Sequence, residues 1–333
     1  MMNTVEIFTR LGSHLASFGQ SESSRLVIAQ AEQENEWFTE QDICRAIDAI
    51  RREMLDEPKL QTWLSSYELT SHAPLRIGIV MAGNIPAVGF FDMLCVVVSG
   101  NRALVKLSSK DRVLMRYLID SLRDINSQVA IEEWNGTDSV DAVIATGGDS
   151  ANLHFRSLYS STPHLLRGSR HSVAILSGNE SEEQLQRLSA DIFSYSGLGC
   201  RSVSLILMPQ GYTPIITPPT MCAGYRNNYL RTRALLTMHD TPFCDLGSAV
   251  LVEGKAAFPA EISRINTAHY NSLSEVEQWL NQHREQLQCI VSNIAEVPNA
   301  VPLGQAQYPA LNDYADGVDT MKFLLSLHQN ITK

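Results

Sequence analysis

The chain has 333 residues, 44% of them hydrophobic and 19% charged, which suits one large or two medium globular domains with a substantial core and excludes a disordered or fibrous protein. Its net charge of −10 repels polyanions and no basic run offsets it, so nucleic acid is not an expected partner. The N-terminal stretch MMNTVEIFTRLGSHLASFGQ has no basic-then-apolar signal pattern, no stretch reaches the roughly 18 apolar residues that cross a bilayer, and a cytoplasmic protein is the expectation.

In chain order, residues 1–70 are expected to be helical. Thr39 precedes EQDICRAIDAIRREML, in which Ile43, Ile47, Ile50 and Leu55 follow a helical stripe and Thr39 with Asp42 resembles a capping start. RIGIVMAG then reads as a short β-branched strand ending at glycine. VVSGNRALVKLS reads as the end of a helix, a glycine break and a second strand, and DRVLMRYLIDSLRDI as an amphipathic helix. VDAVIATGG is a third strand and HSVAILSG a fourth; EEQLQRLSADIFSY is a helix that runs into SGLGC and the strand SVSLILMP. This alternation predicts a mainly parallel, doubly wound α/β sheet.

Ligands of such sheets sit at the carboxyl ends of the strands, where Ala82-Gly83-Asn84, Lys106-Leu107-Ser108-Ser109 and Thr146-Gly147-Gly148-Asp149 fall. Neither G-x-G-x-x-G nor a P-loop is present. Read as residues alone, Asn84 serves equally as a helix cap, Lys106 as a strand-end surface lysine, and Gly147 and Gly148 as turn residues. The six cysteines form no C-x-x-C pair and no histidine cluster has ligand spacing, so no metal site is expected.

GIVMAGNIPAVGFFDMLCVVVSGNRALVKLSSKD resembles the cofactor domain of the aldehyde dehydrogenase superfamily: Asn-x-Pro after a strand, an apolar helix, Gly-Asn, a strand, then Lys-x-Ser. ATGG, GSRHSVAIL and GLGC follow in that family's order, and NIPAVG, VKLSS, RGSRHSV and YADGVDT look most like the LuxC-type acyl-CoA reductases in a short form. The resemblance implies an aldehyde-dehydrogenase-like fold: a helical segment over 1–70, a doubly wound nucleotide-binding domain over 71–190, and a smaller α/β catalytic domain over 191–300. The tail 300–333 either returns to the nucleotide-binding domain or pairs with another subunit.

Carried over by motif, Cys200 is the nucleophile and Asn84 the side-chain donor that joins the Cys200 N–H in holding the oxyanion. Lys106 meets the adenosine ribose, Ser108 and Ser109 stand beside it, and Thr146, Gly147 and Gly148 lie near the pyrophosphate. Two departures bear on chemistry. Hydrolytic relatives have a glutamate base just before the Gly-Gly-Lys segment, where this chain has Leu165, Leu166 and Arg167, so water attack on a Cys200 thioester should be slow and reduction is favoured. Relatives that prefer NAD often have a glutamate three residues after the lysine; here Ser109 and Lys110 follow, which suits a 2′-phosphate and points to NADPH, with NADH as the alternative.

The expected activity is therefore an NAD(P)H-dependent acyl-CoA reductase that releases a fatty aldehyde. An oxidative aldehyde dehydrogenase or a non-catalytic nucleotide- or acyl-binding partner are the rivals. The implied partners are acyl-CoA or an acyl carrier, an acyl-transferring or synthetase protein, and further copies of the chain. Arg167, Arg170 and His171 are left open as cations that lower the Cys200 pKa, whereas Arg201 is expected on the opposite face from the thiol.

Overall fold

The computed structural model describes residues 3–69 and 71–331, which form two compact units. The first takes Met1–Ser169 and Pro309–Lys333, the second Arg170–Tyr308. No helix among the described residues is long and apolar enough to cross a membrane.

The first unit opens with four helices whose starts carry side-chain caps: α1 (Thr4–Leu15), α2 (Glu22–Glu34), α3 (Glu40–Ala49) and α4 (Glu57–Leu64) are capped by Asn3, Ser21, Thr39 and Asp56. At α3 the capping start is as expected: Thr39 Oγ1 accepts from Asp42 N–H at 3.1 Å and donates to the Asp42 carboxylate at 3.1 Å. The sheet follows, with β1 (Arg76–Val80), α5 (Phe90–Val98), β2 (Arg102–Lys106), α6 (Arg112–Ile125), β3 (Ile131–Glu133), β4 (Ala142–Thr146), α7 (Asp149–Leu158) and β5 (His164–Arg167). All its pairings are parallel, in the order β3-β2-β1-β4-β5. The chain therefore leaves β1 toward one edge and β4 toward the other, and a crevice opens between their carboxyl ends.

One face of this sheet packs Ile77, Ile79, Ala103, Val105, Ala142 and Ile144 against α1, α5, α6 and the closing helix. The opposite face packs Leu104, Val143 and Ala145 around Trp134 and Tyr159. Gly78 is needed there, because a Cβ would stand 2.6 Å from the Trp134 ring.

Two strands differ from the sequence expectation. HSVAI is a strand, but in the second unit's sheet; beside β4 the first sheet is completed by HLLR. HLLR carries no strand alternation because its last residue, Arg167, is buried with a partner from another element. Arg167 donates to Asp92 in the first turn of α5 at 2.7 Å, to Thr320 Oγ1 at 2.7 Å and to the Ala315 carbonyl at 2.8 Å. Gly168 N–H donates to Asp316 at 3.2 Å. These bonds fasten the tail residues to β5, and Tyr314 adds hydroxyl bonds with Trp63 Nε1 and Tyr67.

In the second unit, β6 (His171–Ile175), α8 (Glu182–Phe193), β7 (Val203–Pro209), α9 (Ala223–Met238), β8 (Cys244–Asp245), β9 (Val250–Glu253), β10 (Arg264–Tyr270), α10 (Leu273–Gln282) and β11 (Leu287–Val291) build a sheet of order β11-β6-β7-β10-β9-β8. Only β8, at the edge, runs antiparallel. The first unit's closing helix, α11 (Thr320–Ile331), ends the described chain. A reciprocal capping box of Ser181 and Gln184 starts α8. Near its end, Asp191 is buried and accepts from Gly304 N–H at 2.6 Å and Ala306 N–H at 3.0 Å, fixing the loop before residue 308.

Burial pushes the Asp191 carboxyl up to about 7, although its two N–H bonds act the other way. An unfolded aspartate titrates near about 3.9, so between about pH 4 and 7 the unfolded chain releases a proton that the folded chain keeps. This group's contribution to stability therefore falls as pH rises through that window and is level above it. The thermal midpoint should drop more steeply between about pH 5 and 7 in the wild type than in Asp191→Asn, as read by scanning calorimetry.

The Arg167–Asp92 pair gives a second test. Its side chains are only 4% and 11% exposed, so Asp92→Ala, which strands a buried guanidinium, should cost about 3–5 kcal/mol in denaturant titrations. The double variant Asp92→Leu with Arg167→Leu should lie closer to the wild type, since it leaves no unpaired charge.

Candidate functional site

Seven of the eight candidate residues lie in the first unit, at adjoining strand ends. Val80, the last residue of β1, is in register with Lys106 on one side and with Ala145 on the other. Asn84 follows β1, Lys106 ends β2 with Ser108 and Ser109 just beyond, and Thr146 ends β4 before Gly147 and Gly148. The residues at the three carboxyl ends are thus brought to one edge of the sheet by parallel register.

Asn84 is exposed and does not cap α5, whose N-cap is Gly89, so the helix-cap reading of Asn84 does not hold. Its loop is pinned from both sides. A Cβ on Gly83 would stand 2.4 Å from Ser108 Oγ, so the β1 and β2 loops touch there because residue 83 is glycine. Ala87 has a left-handed backbone, φ 54°, and its N–H donates to Asp111 Oδ2 at 2.8 Å. Asp111 is 3% exposed, and burial pushes its carboxyl well above the ordinary carboxylate range.

Gly148 is the N-cap of α7, and no side chain caps that helix, so the first-turn N–H groups are left for a ligand. A Cβ on Gly148 would meet nothing closer than Ser169 Oγ at 3.9 Å, whereas one on Gly147 would lie 2.8 Å from Ala151 Cβ. Gly147 lets strand and helix pack, and Gly148 leaves open approach to the helix start. The Lys106 amine extends over the loop after β3, where a Cβ on Gly136 would stand 2.9 Å from Nζ. Ser109 is exposed, and Ser108 Oγ accepts from Lys110 N–H at 3.3 Å. A cation, exposed hydroxyls and an uncapped helix start at a strand crossover fit a nicotinamide dinucleotide: Lys106 and Ser109 could hold its ribose end and the Gly147–Gly148 turn its pyrophosphate.

Cys200 lies in the second unit, half-buried in the turn that enters β7. Its loop departs from α8 through three successive left-handed residues, Tyr195 at φ 55°, Ser196 at 54° and Gly197 at 66°. Only glycine adopts this backbone without strain, and Tyr195 and Ser196 hold it while buried. The turn is closed by Leu198 N–H to Tyr195 O at 3.1 Å and Ser202 N–H to Gly199 O at 2.9 Å. Ser172, on β6, donates its hydroxyl to the Cys200 carbonyl at 2.8 Å and so orients the peptide unit that follows the cysteine. Ser196 Oγ lies 3.3 Å from the Cys222 thiol, which links the loop to the start of α9.

Of the cations left open by the sequence, Arg167 is committed to Asp92, Thr320 and Ala315 within the first unit. Arg170 donates to the Leu287 carbonyl at 3.2 Å, and the His171 ring stacks on Phe258 at 4.4 Å. Asp111 and Ser172 are the residues that sequence reasoning did not single out. Asp111 reads as an ordinary helix start in SSKDR and Ser172 as one position of a strand; their partners are 24 and 28 residues away.

The chain matches the family model "Acyl-CoA reductase (LuxC)" over residues 20–214, more than half its length. No curated protein matches it in direct sequence comparison. Among solved structures it is similar to aldehyde dehydrogenase 21 from Physcomitrella patens, with TM-score 0.64 and 10% identity over 97% of this chain and 83% of that one. Methylmalonate-semialdehyde dehydrogenase from Oceanimonas doudoroffii gives 0.62 and 10% over 87% and 72%. The propionaldehyde dehydrogenase from Clostridium phytofermentans gives 0.57 and 10% over 89% and 79%. At such identities these likenesses establish the aldehyde dehydrogenase fold, while the family match establishes the lineage. The chain belongs to the LuxC family of acyl-CoA reductases, oxidoreductases that act at the acyl-CoA and aldehyde level with a nicotinamide cofactor.

Proposed function

We propose that this protein reduces an acyl thioester, carried on CoA or an acyl carrier, to a fatty aldehyde through a covalent acyl group on Cys200, with NADPH as the preferred reductant. The observation that carries the reading is the loop Ser194–Arg201, whose strained left-handed entry and Ser172 tether present one half-buried cysteine at the start of a parallel strand. Strain of this kind costs about 1–2 kcal/mol per non-glycine residue, and it is stored most often where a reacting group must be held in one geometry.

Cys200, as thiolate, attacks the acyl carbonyl; the CoA or carrier thiolate leaves, one thioester replaces another, and nothing is oxidised or reduced at that stage. Backbone N–H groups and an amide side chain are suitable donors to the tetrahedral oxyanion, and the family's motif order assigns these roles to the Cys200 N–H and Asn84. A bound nicotinamide supplies the hydride that takes the thioester to the aldehyde level. Cys200 then departs as thiolate and the aldehyde is freed. Support for reduction over hydrolysis comes from Leu165, Leu166 and Arg167: none is a base, and Arg167 is held in a buried ion pair. Support for NADPH comes from Ser109 and Lys110, both exposed, where a carboxylate would repel a 2′-phosphate.

Cys200→Ala should abolish both acyl-enzyme formation and acyl-CoA-dependent NADPH oxidation, measured with a panel of acyl-CoAs and both nicotinamide cofactors; persisting turnover would overturn the reading. Asn84→Ala should slow acyl transfer by about 10²–10³-fold, the usual loss for one oxyanion donor. Ser109→Glu should shift the kcat/KM ratio toward NADH, and an unchanged ratio would remove Ser109 from the cofactor site.

A further inference from the structure

We propose that Asp111 is the positioning residue for Asn84: its carboxyl, through the Ala87 N–H, fixes the turn that presents the Asn84 side chain. This rests on the reading of Asn84 as the oxyanion donor.

The geometry that carries it is local to the first unit. Asn84 stands on an exposed loop between β1 and α5, with no regular structure from residue 81 to residue 89 to hold it. Three residues after Asn84, Ala87 takes a left-handed backbone that an alanine does not adopt unaided. Its buried N–H has a partner only because Asp111 Oδ2 lies 2.8 Å away, at the start of α6. One residue before Asn84, Gly83 sits so close to the β2 loop that a Cβ would meet Ser108 Oγ at 2.4 Å and Asp111 Cβ at 3.2 Å. Asn84 is thus held between two fixed points that both lead to the Ser108–Asp111 turn.

Asp111 does not do the work expected from its place in the sequence. It is the N-cap residue of α6 but makes no side-chain cap bond there, so its carboxyl is spent on the neighbouring loop. Its second oxygen, Oδ1, is buried with no hydrogen-bond partner among the described residues. A structural acid in that position is costly, and a cap bond or an apolar side chain would suit α6 better. What the acid does here is accept from the Ala87 N–H, which only an acceptor at this point can satisfy. The direction of its pKa fits as well, since a neutral carboxyl accepts that bond without a buried charge. Asp111 touches neither substrate nor cofactor in this scheme; it acts through the backbone of residues 83–87.

The test uses the full chain and two near-isosteric replacements. Asp111→Asn keeps an acceptor for Ala87, whereas Asp111→Leu keeps the shape and removes it. Single-turnover acylation of Cys200 by an acyl-CoA and amide hydrogen exchange of residues 82–90 are measured on both variants and the wild type. The expected result is wild-type acylation and protection in Asp111→Asn. In Asp111→Leu, acylation should be slower by at least about tenfold at unchanged half-saturation by acyl-CoA, with the Ala87 amide exchanging at least about tenfold faster, a factor of ten being worth about 1.4 kcal/mol. Acylation at the wild-type rate in Asp111→Leu overturns the proposal, and so does an equal loss in both variants. If Asp111→Leu does not fold, Asp111→Asn decides: retained acylation and protection support the proposal, and loss of either overturns it. A wild-type protein that forms no acyl-enzyme refutes the reductase reading and with it the role that Asp111 serves, while amide exchange still reports separately whether the carboxyl holds the loop.

Discussion

The first unit depends on one buried guanidinium. Arg167 ends the last strand of a parallel sheet and is only 3% exposed, yet it meets Asp92, Thr320 and the Ala315 carbonyl at 2.7–2.8 Å. Taking a charge out of water is tolerable only when it is paired and hydrogen-bonded; here the terminal nitrogens find partners at three places along the chain, while Nε is buried with none among the described residues. Arg167 ties the end of β5 to the first turn of α5 through Asp92, and to Ala315 and the start of α11 through their oxygens.

That edge is where the chemistry-bearing residues gather, and close backbone approach makes it possible. Gly83 allows the β1 and β2 loops to touch, Gly147 allows β4 to run straight into α7, and Gly148 leaves the start of α7 open. Each glycine answers a different steric demand, and a side chain at 83 or 147 would push apart the elements that form the crevice. The second unit solves a separate problem. It holds Cys200 in the turn before β7 with a strained backbone whose cost is met by buried packing of Tyr195 and Ser196 and by the Ser172 hydroxyl.

In both units polar side chains on or at the ends of regular elements reach out and anchor the loops beside them. Asp191 takes two N–H groups from the loop at 304–306, Asp111 takes one from the loop at 83–89, and Ser172 gives one hydroxyl to the Cys200 turn. The reductive release proposed above would draw on this kind of order, because an acyl-enzyme that waits for hydride must meanwhile be kept from water.

The sequence by itself determined the elements with strong local signals. RIGIV, RALVK and AVIAT are strands because apolar β-branched runs end at glycine or a polar turn, and RVLMRYLIDSLRDI is a helix because its apolar residues recur at helical spacing. The order of the Asn84, Lys106 and Cys200 motifs was legible too, and with it the family. Tertiary structure decided what depends on partners distant in sequence. HLLR became a strand of the first sheet and HSVAI one of the second, because strand pairing is a choice among neighbours that periodicity does not encode. Asn84 does not cap α5 because that helix starts six residues beyond it, with Gly89 as its N-cap. Arg167 was assigned to an ion pair with Asp92, 75 residues away, and Asp111 to the Ala87 N–H, because a buried charge or acceptor must take whichever partner the fold brings within 3 Å.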